Sequence, residues 1–205
     1  MLERAVEVTR RGHYQYVEYA RFADDLVVLV DNHESHPRLH SNVHQRLREE
    51  FVKLGVEINE EKSRNVNLMK GESFGFLGFD FRRIRARSGK WRVLMTPKLK
   101  KRTELLRSLK DVFRRYVSQP VTRVVKLINP ILRGWVNYFA VGNSSPCFRM
   151  IERWVELKIR RHLMRARKRQ GFGWERWSTR LLYENLGLFN SYQLRRLAPK
   201  ASPAR

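Results

Sequence analysis

The chain has 205 residues, 42% of them hydrophobic, and carries 43 Lys and Arg against 20 Asp and Glu, a formal charge of +23. That apolar content supports a buried core in one or two domains, while no apolar run approaches the roughly 20 residues of a membrane-spanning helix. A single cysteine, Cys147, excludes an internal disulfide and fits a reducing, cytoplasmic setting.

Taken in chain order, the first eight residues alternate charged and apolar side chains and lack a secretory apolar core. Residues 14–22 and 26–30 read as two strands joined at Ala23-Asp24-Asp25. Adjacent carboxylates repel, and they have little reason to share a tight turn unless a cation neutralises them. Mg²⁺ (magnesium) suits the pair, because one or two carboxylates hold it while phosphates and water complete its octahedron. That is the chemistry of nucleotidyl transfer, against the plain reading of Asp as a turn former.

Residues 36–54 predict an amphipathic helix with Leu39, Val43, Leu47, Phe51 and Leu54 on one face, Pro37 in its first turn and Gly55 as its stop. His36, His40 and His44 form an adjacent stripe, read as a solvated face because no Cys or convergent carboxylate accompanies them. Val56 and Ile58 read as one short strand and Phe74 to Phe81 as another, with Gly75 and Gly78 inside it. Such glycines mark either tight strand packing or the approach of another backbone. Residues 82–95 predict a basic hairpin turning at Ser88-Gly89.

Beyond Pro97 the pattern turns helical. Leu105, Leu109, Val112 and Tyr116 share the apolar face of a first helix whose remaining positions are dense in Lys and Arg. A second helix begins near Pro120, and Asn129-Pro130 predicts its end and the cap of a third carrying Ile131, Trp135 and Phe139. Ser144, Ser145 and Pro146 open a fourth, with Met150, Trp154 and Leu157 on its apolar face and Gly171 and Gly173 as its terminators. A last helix spans about 178–186, and the tail from Ala198 reads as disordered. Residues 1–80 hold 11 basic and 14 acidic residues, net −3, whereas residues 81–205 hold 32 and 6, net +26. The basic side chains interleave with aromatics at helical spacing, so the second part should fold and carry a nucleic-acid footprint.

The order of these elements resembles the group II intron reverse transcriptase/maturase. Phe22-Ala23-Asp24-Asp25 is similar to the family's Tyr-x-Asp-Asp box, with Phe for Tyr. Leu54 to Ser63, with Asn59 and Lys62, resembles the next block. Phe76-Leu77-Gly78-Phe79 resembles the block that grips the primer, and Leu127 to Phe139 resembles the signature of the maturase-specific domain, which doubles as the thumb. The resemblance implies an α+β chain: a partial antiparallel reverse-transcriptase palm over 1–82, a basic connector over 83–97, an all-α thumb/maturase domain over 98–175, and a terminal helix and tail over 176–205. It implies Asp24 and Asp25 as catalytic metal ligands of a two-metal Mg²⁺ site. For nucleic-acid contacts it and the charge pattern give Phe22, Lys62, Leu77, Gly78, Lys98, Lys100, Lys101, Arg133, Arg165, Arg167, Lys168 and Arg169.

The family's third metal-binding Asp and its fingers lie before the Asp-Asp box, where this chain has 21 residues before Phe22. The chain is therefore read as the C-terminal portion of a reverse transcriptase, expected to be inactive alone. The expected partners are group II intron RNA and an RNA template with its DNA primer, joined by an upstream half of the polymerase if the chain is one half of a split protein rather than a truncated frame or a fragmentary gene. The alternative is a structured-RNA-binding module without polymerase activity. A generic basic DNA-binding protein leaves the Asp-Asp turn unexplained and finds no helix-turn-helix or zinc pattern.

Overall fold

A computed structural model describes residues 7–8, 14–15, 17–31 and 37–195. His36 and the tail from Ala198 lie outside the described residues. The fold is α+β, and the chain forms two compact units, 1–66 and 67–205.

In the first unit, β1 (Glu7–Val8) pairs with β2 (Tyr14–Gln15), and β3 (Val17–Phe22) pairs antiparallel with β4 (Asp25–Val30). The register runs from Val17 opposite Val30 to Phe22 opposite Asp25, so the loop is the two residues Ala23 and Asp24, and Asp25 already belongs to the strand. Helix α1 (Leu39–Lys53) follows. It ends in a Schellman motif: Val56 N–H reaches Phe51 O at 2.9 Å and Gly55 N–H reaches Val52 O at 3.1 Å, with Gly55 at φ +64°. The predicted strand at Val56 and Ile58 does not form. Residues 56–59 are irregular, because Val56 is occupied by the helix cap and Asn59 by its own turn.

The second unit opens with a single 3₁₀ turn, Leu68–Lys70, and a sheet of β5 (Ser73–Phe76), β6 (Phe79–Arg85) and β7 (Trp91–Pro97) in that spatial order. The predicted single strand over Phe74–Phe81 is a hairpin. Leu77 (φ +47°) and Gly78 (φ +78°) both take positive φ, the sign pattern of a two-residue type I′ turn, so the chain reverses where the alternation suggested continuity. The second reversal falls at Ser88-Gly89 as predicted, closed by Ala86 N–H to Lys90 O at 2.8 Å.

Three helices follow: α2 (Leu99–Arg115), α3 (Val121–Tyr138) and α4 (Ser145–Arg165). The predicted break at Asn129-Pro130 does not occur. Pro130 lies inside α3 on its exposed face. Asn129 instead clamps the chain that returns later, donating to Gly187 O at 2.8 Å and accepting from Phe189 N–H at 2.9 Å. Leu105 and Leu109 of α2, Val124, Ile128 and Leu132 of α3, and Ile151, Val155 and Ile159 of α4 form the main core, closed by Leu182 and Leu188.

A second cluster, Phe79, Val136, Phe139 and Phe148, joins the sheet to α3 and α4. Asn143, between those helices, pairs with the edge of β7 through its backbone N–H to Met95 O at 2.7 Å and its side-chain oxygen from Met95 N–H at 3.0 Å. Helix α4 stops at Arg165, short of the glycines, because Lys168 (φ +55°) takes the left-handed position of a Schellman motif. Arg169 N–H bonds Met164 O at 3.0 Å and Lys168 N–H bonds Arg165 O at 2.9 Å. The last predicted helix shrinks to one π turn over Leu181–Asn185. Among the described residues no helix is long and apolar enough to cross a membrane.

Candidate functional site

The acidic turn is built by the β3–β4 register. Ala23 sits at φ +51° and Asp24 does not share that sign, the pattern of a II′ hairpin turn. The Arg21 guanidinium donates from Nε to Ala23 O at 3.1 Å and holds the turn from below. Asp24 and Asp25 are both exposed, and Phe22, across the register from Asp25, is 61% exposed. Two hard carboxylate oxygen donors at an exposed turn fit a magnesium ion. Among the described residues no group of three or more metal-ligating side chains gathers.

Lys62 lies in the same unit, in a turn organised by Asn59. The Asn59 side chain accepts Lys62 N–H at 3.1 Å, and Asn59 O accepts Ser63 N–H at 2.9 Å. Arg48 of α1 grips Glu60 at 2.8 Å. The turn thus presents an exposed lysine with no acidic partner among the described residues.

In the second unit, Leu77 and Gly78 form the β5–β6 turn. Lys98 precedes α2, and its side chain crosses β5 at Gly75, where any Cβ would collide with it. Lys100 and Lys101 are exposed in the first turn of α2, and Lys101 is paired with Glu104 at 3.1 Å. Cations at a helix N-terminus oppose the macrodipole, so this end of α2 is an electropositive point that a phosphate would relieve. Arg133 is exposed on α3, while Trp135 packs into both apolar clusters.

Arg165, Arg167, Lys168 and Arg169 are all exposed, though only Arg165 belongs to α4, and Arg167 stacks on the Trp177 ring at 4.5 Å. Burial, and then the positive charges of Arg161, Lys110 and Arg165, push the Lys158 ammonium below the usual lysine range. Cations of α2 and α4 thus converge on one surface.

Ala23, Leu77 and Lys168 are the three non-glycine residues with positive φ among the described residues, and each falls in one of the segments singled out from sequence. Backbone strain of this kind persists where the surrounding structure holds it and concentrates at functional sites.

Sequence reasoning passed over Arg160. It is buried within α4, donating to Trp177 O at 2.9 Å, Glu156 at 2.9 Å and Thr179 Oγ1 at 3.1 Å, with its guanidinium 4.3 Å from the centre of the Trp174 ring. The Glu156–Arg160 spacing of four was the available signal, masked by the surrounding run of cations. The Tyr138 hydroxyl, on α3, donates to Leu77 O at 3.0 Å.

This arrangement, a strand-turn-strand presenting two carboxylates followed by a sheet and a basic helical bundle, is that of a nucleic-acid polymerase's palm end joined to an RNA-binding domain. Residues 1–81 match the family model described as reverse transcriptase (RNA-dependent DNA polymerase), and residues 102–181 match the group II intron, maturase-specific domain. Together, in that order, they place the chain in the group II intron reverse transcriptase/maturase family, of whose architecture it carries the C-terminal portion. No curated protein matches it.

Proposed function

We propose that Asp24 and Asp25 are the catalytic carboxylates of RNA-directed DNA synthesis, and that the basic surface of residues 82–170 binds group II intron RNA. The observation that carries the first part is the exposed hairpin turn, which holds the adjacent carboxylates of Asp24 and Asp25 open to solvent beside Ala23 at positive φ, a strain of the kind that concentrates at functional sites. Bound there, Mg²⁺ would supply activation of a primer 3′-hydroxyl and stabilisation of the departing pyrophosphate. Phe22 borders the turn, Lys62 offers a cation to the nucleic acid, and the Leu77–Gly78 turn contacts the primer backbone. Lys98, Lys100, Lys101, Arg133, Arg165, Arg167, Lys168 and Arg169 contact phosphates.

The proposed functional divisions are the palm end through residue 82, the connector over 83–97, the thumb/maturase domain over 98–175 and the remainder. The proposed setting is the cytoplasm, with an RNA template, its DNA primer and a further polymerase segment as partners. The net charge of +26 over residues 81–205 favours a second reading, in which RNA binding is this chain's whole activity.

Primer extension separates the two. The 205-residue chain alone, with Mg²⁺, deoxynucleotides and a primed RNA template, should extend nothing, because two carboxylates do not complete a two-metal site. Adding the fingers and the earlier palm strand of a relative, by fusion or in trans, should give extension that Asp24→Asn abolishes. No extension in any combination, with intron RNA still bound, would favour the binding module.

A further inference from the structure

The two carbonyl oxygens of the Leu77–Gly78 turn are both taken. Leu77 O accepts the Tyr138 hydroxyl at 3.0 Å, and Gly78 O accepts Lys98 N–H at 2.9 Å. The amide N–H groups of Leu77 and Gly78 have no acceptor among the described residues. Leu77 C=O and Gly78 N–H belong to one planar trans peptide, in which the two groups point in opposite directions. Whatever holds the carbonyl therefore aims the amide. The Tyr138 ring stacks near Phe79, centroids 6.2 Å apart, and meets Phe139 edge-on at 4.8 Å; Phe139 in turn lies against Gly78. Tyr138 is nonetheless 56% exposed, so its hydroxyl serves a surface turn and not the core.

From this geometry we infer that Tyr138, in the maturase-specific segment, is a positioning residue for the primer strand. By drawing Leu77 C=O toward α3, it turns the Gly78 amide outward, where the two free N–H groups form a donor pair for a backbone phosphate. The inference rests on the proposed primer contact at Leu77–Gly78. Helix α3 thereby acts on the grip of the preceding hairpin, as well as on any RNA its own surface binds.

The test uses the full 205-residue chain, an RNA template–DNA primer hybrid, and amide hydrogen exchange resolved at residues 76–79. In the wild type, Leu77 and Gly78 should exchange fast when free and slow down in the hybrid complex. Tyr138→Phe keeps the ring and removes only the hydroxyl. It should leave the melting temperature unchanged, abolish protection at Gly78 and weaken hybrid affinity about three- to tenfold, the span of one neutral hydrogen bond, without weakening intron RNA binding. Retained protection and affinity in Tyr138→Phe would overturn the inference while leaving the primer contact standing. Absence of protection in the wild type would remove the primer contact itself, and the inference with it. Equal weakening for hybrid and intron RNA, with a lowered melting temperature, would reduce Tyr138 to a structural residue and also overturn it.

Discussion

The two units differ in how much core stands behind their surfaces. Among the described residues of unit 1–66, Leu39 is the one hydrophobic side chain that counts as buried, and the acidic turn caps a two-stranded hairpin, an element marginal in water by itself. Unit 67–205 instead buries residues from three helices, a three-stranded sheet and a returning segment in two apolar clusters. In the proposed function, the near-neutral unit would carry the chemistry on a thinly supported turn, and the basic unit would carry binding on a packed scaffold. Substitutions at Asp24 and Asp25 should therefore change reaction without changing stability, whereas stability should be decided in the helical unit.

The largest expected effect is on synthesis. In a fused or reconstituted polymerase, Asp24→Asn should abolish primer extension while shifting unfolding free energy by no more than about 0.5 kcal/mol, because the residue is exposed. Next comes Arg160→Met in the helical unit. It leaves Glu156 half-paired and frees Trp177 O and Thr179, so denaturant unfolding should show a loss of about 3 kcal/mol or more. Arg160→Lys should recover little, since an ammonium lacks the planar fork that reaches all three acceptors.

Neutralising Arg165, Arg167, Lys168 and Arg169 together should flatten the slope of log affinity against log salt by about three for structured RNA. Arg167, tied to Trp177, should contribute the least of the four. An unchanged slope would move the binding face to Lys98–Arg115. The smallest effects are local. Lys168→Gly relieves the left-handed strain and should stabilise the chain by about 0.5–1 kcal/mol while losing one phosphate contact.

Lys158 carries a pH signature of the same crowding. Its value in the folded chain lies below the ordinary 10.5, so the unfolded chain holds more protons in that alkaline window and stability should rise with pH across it. Phosphate binding restores the charged form, so RNA affinity should fall as pH rises through the same window. Lys158→Gln should remove both trends, as followed by thermal unfolding and RNA titration at several pH values.

Much of this was legible in the sequence because local rules and tertiary packing agreed. The acidic hairpin, the Gly55 stop, the Ser88-Gly89 turn and the Leu105–Leu109 face all follow from alternation, glycine placement or helical spacing. Two of the misreadings share a cause, a local signal overruled by a distant partner. Asn129-Pro130 has the chemistry of a helix break, yet its amide side chain is spent on Gly187 and Phe189, nearly sixty residues later. Gly78 looked like a glycine inside a strand because the aromatic alternation ran through it, while contacts from Lys98, Tyr138 and Phe139 support a reversal there. Lys168 ended α4 before the glycines because a lysine accepted the strained position they would fill freely.

The division of labour between the units is tested most directly by titrating group II intron RNA against Asp24→Asn/Asp25→Asn and against the quadruple neutralisation of Arg165, Arg167, Lys168 and Arg169, at two salt concentrations. The double variant should bind as tightly as the wild type or slightly more tightly, having lost two negative charges, with an unchanged salt slope. The quadruple variant should bind at least about tenfold more weakly at low salt, with the shallower slope. Loss of RNA affinity in the double variant equal to that in the quadruple variant would contradict the separation of chemistry from binding.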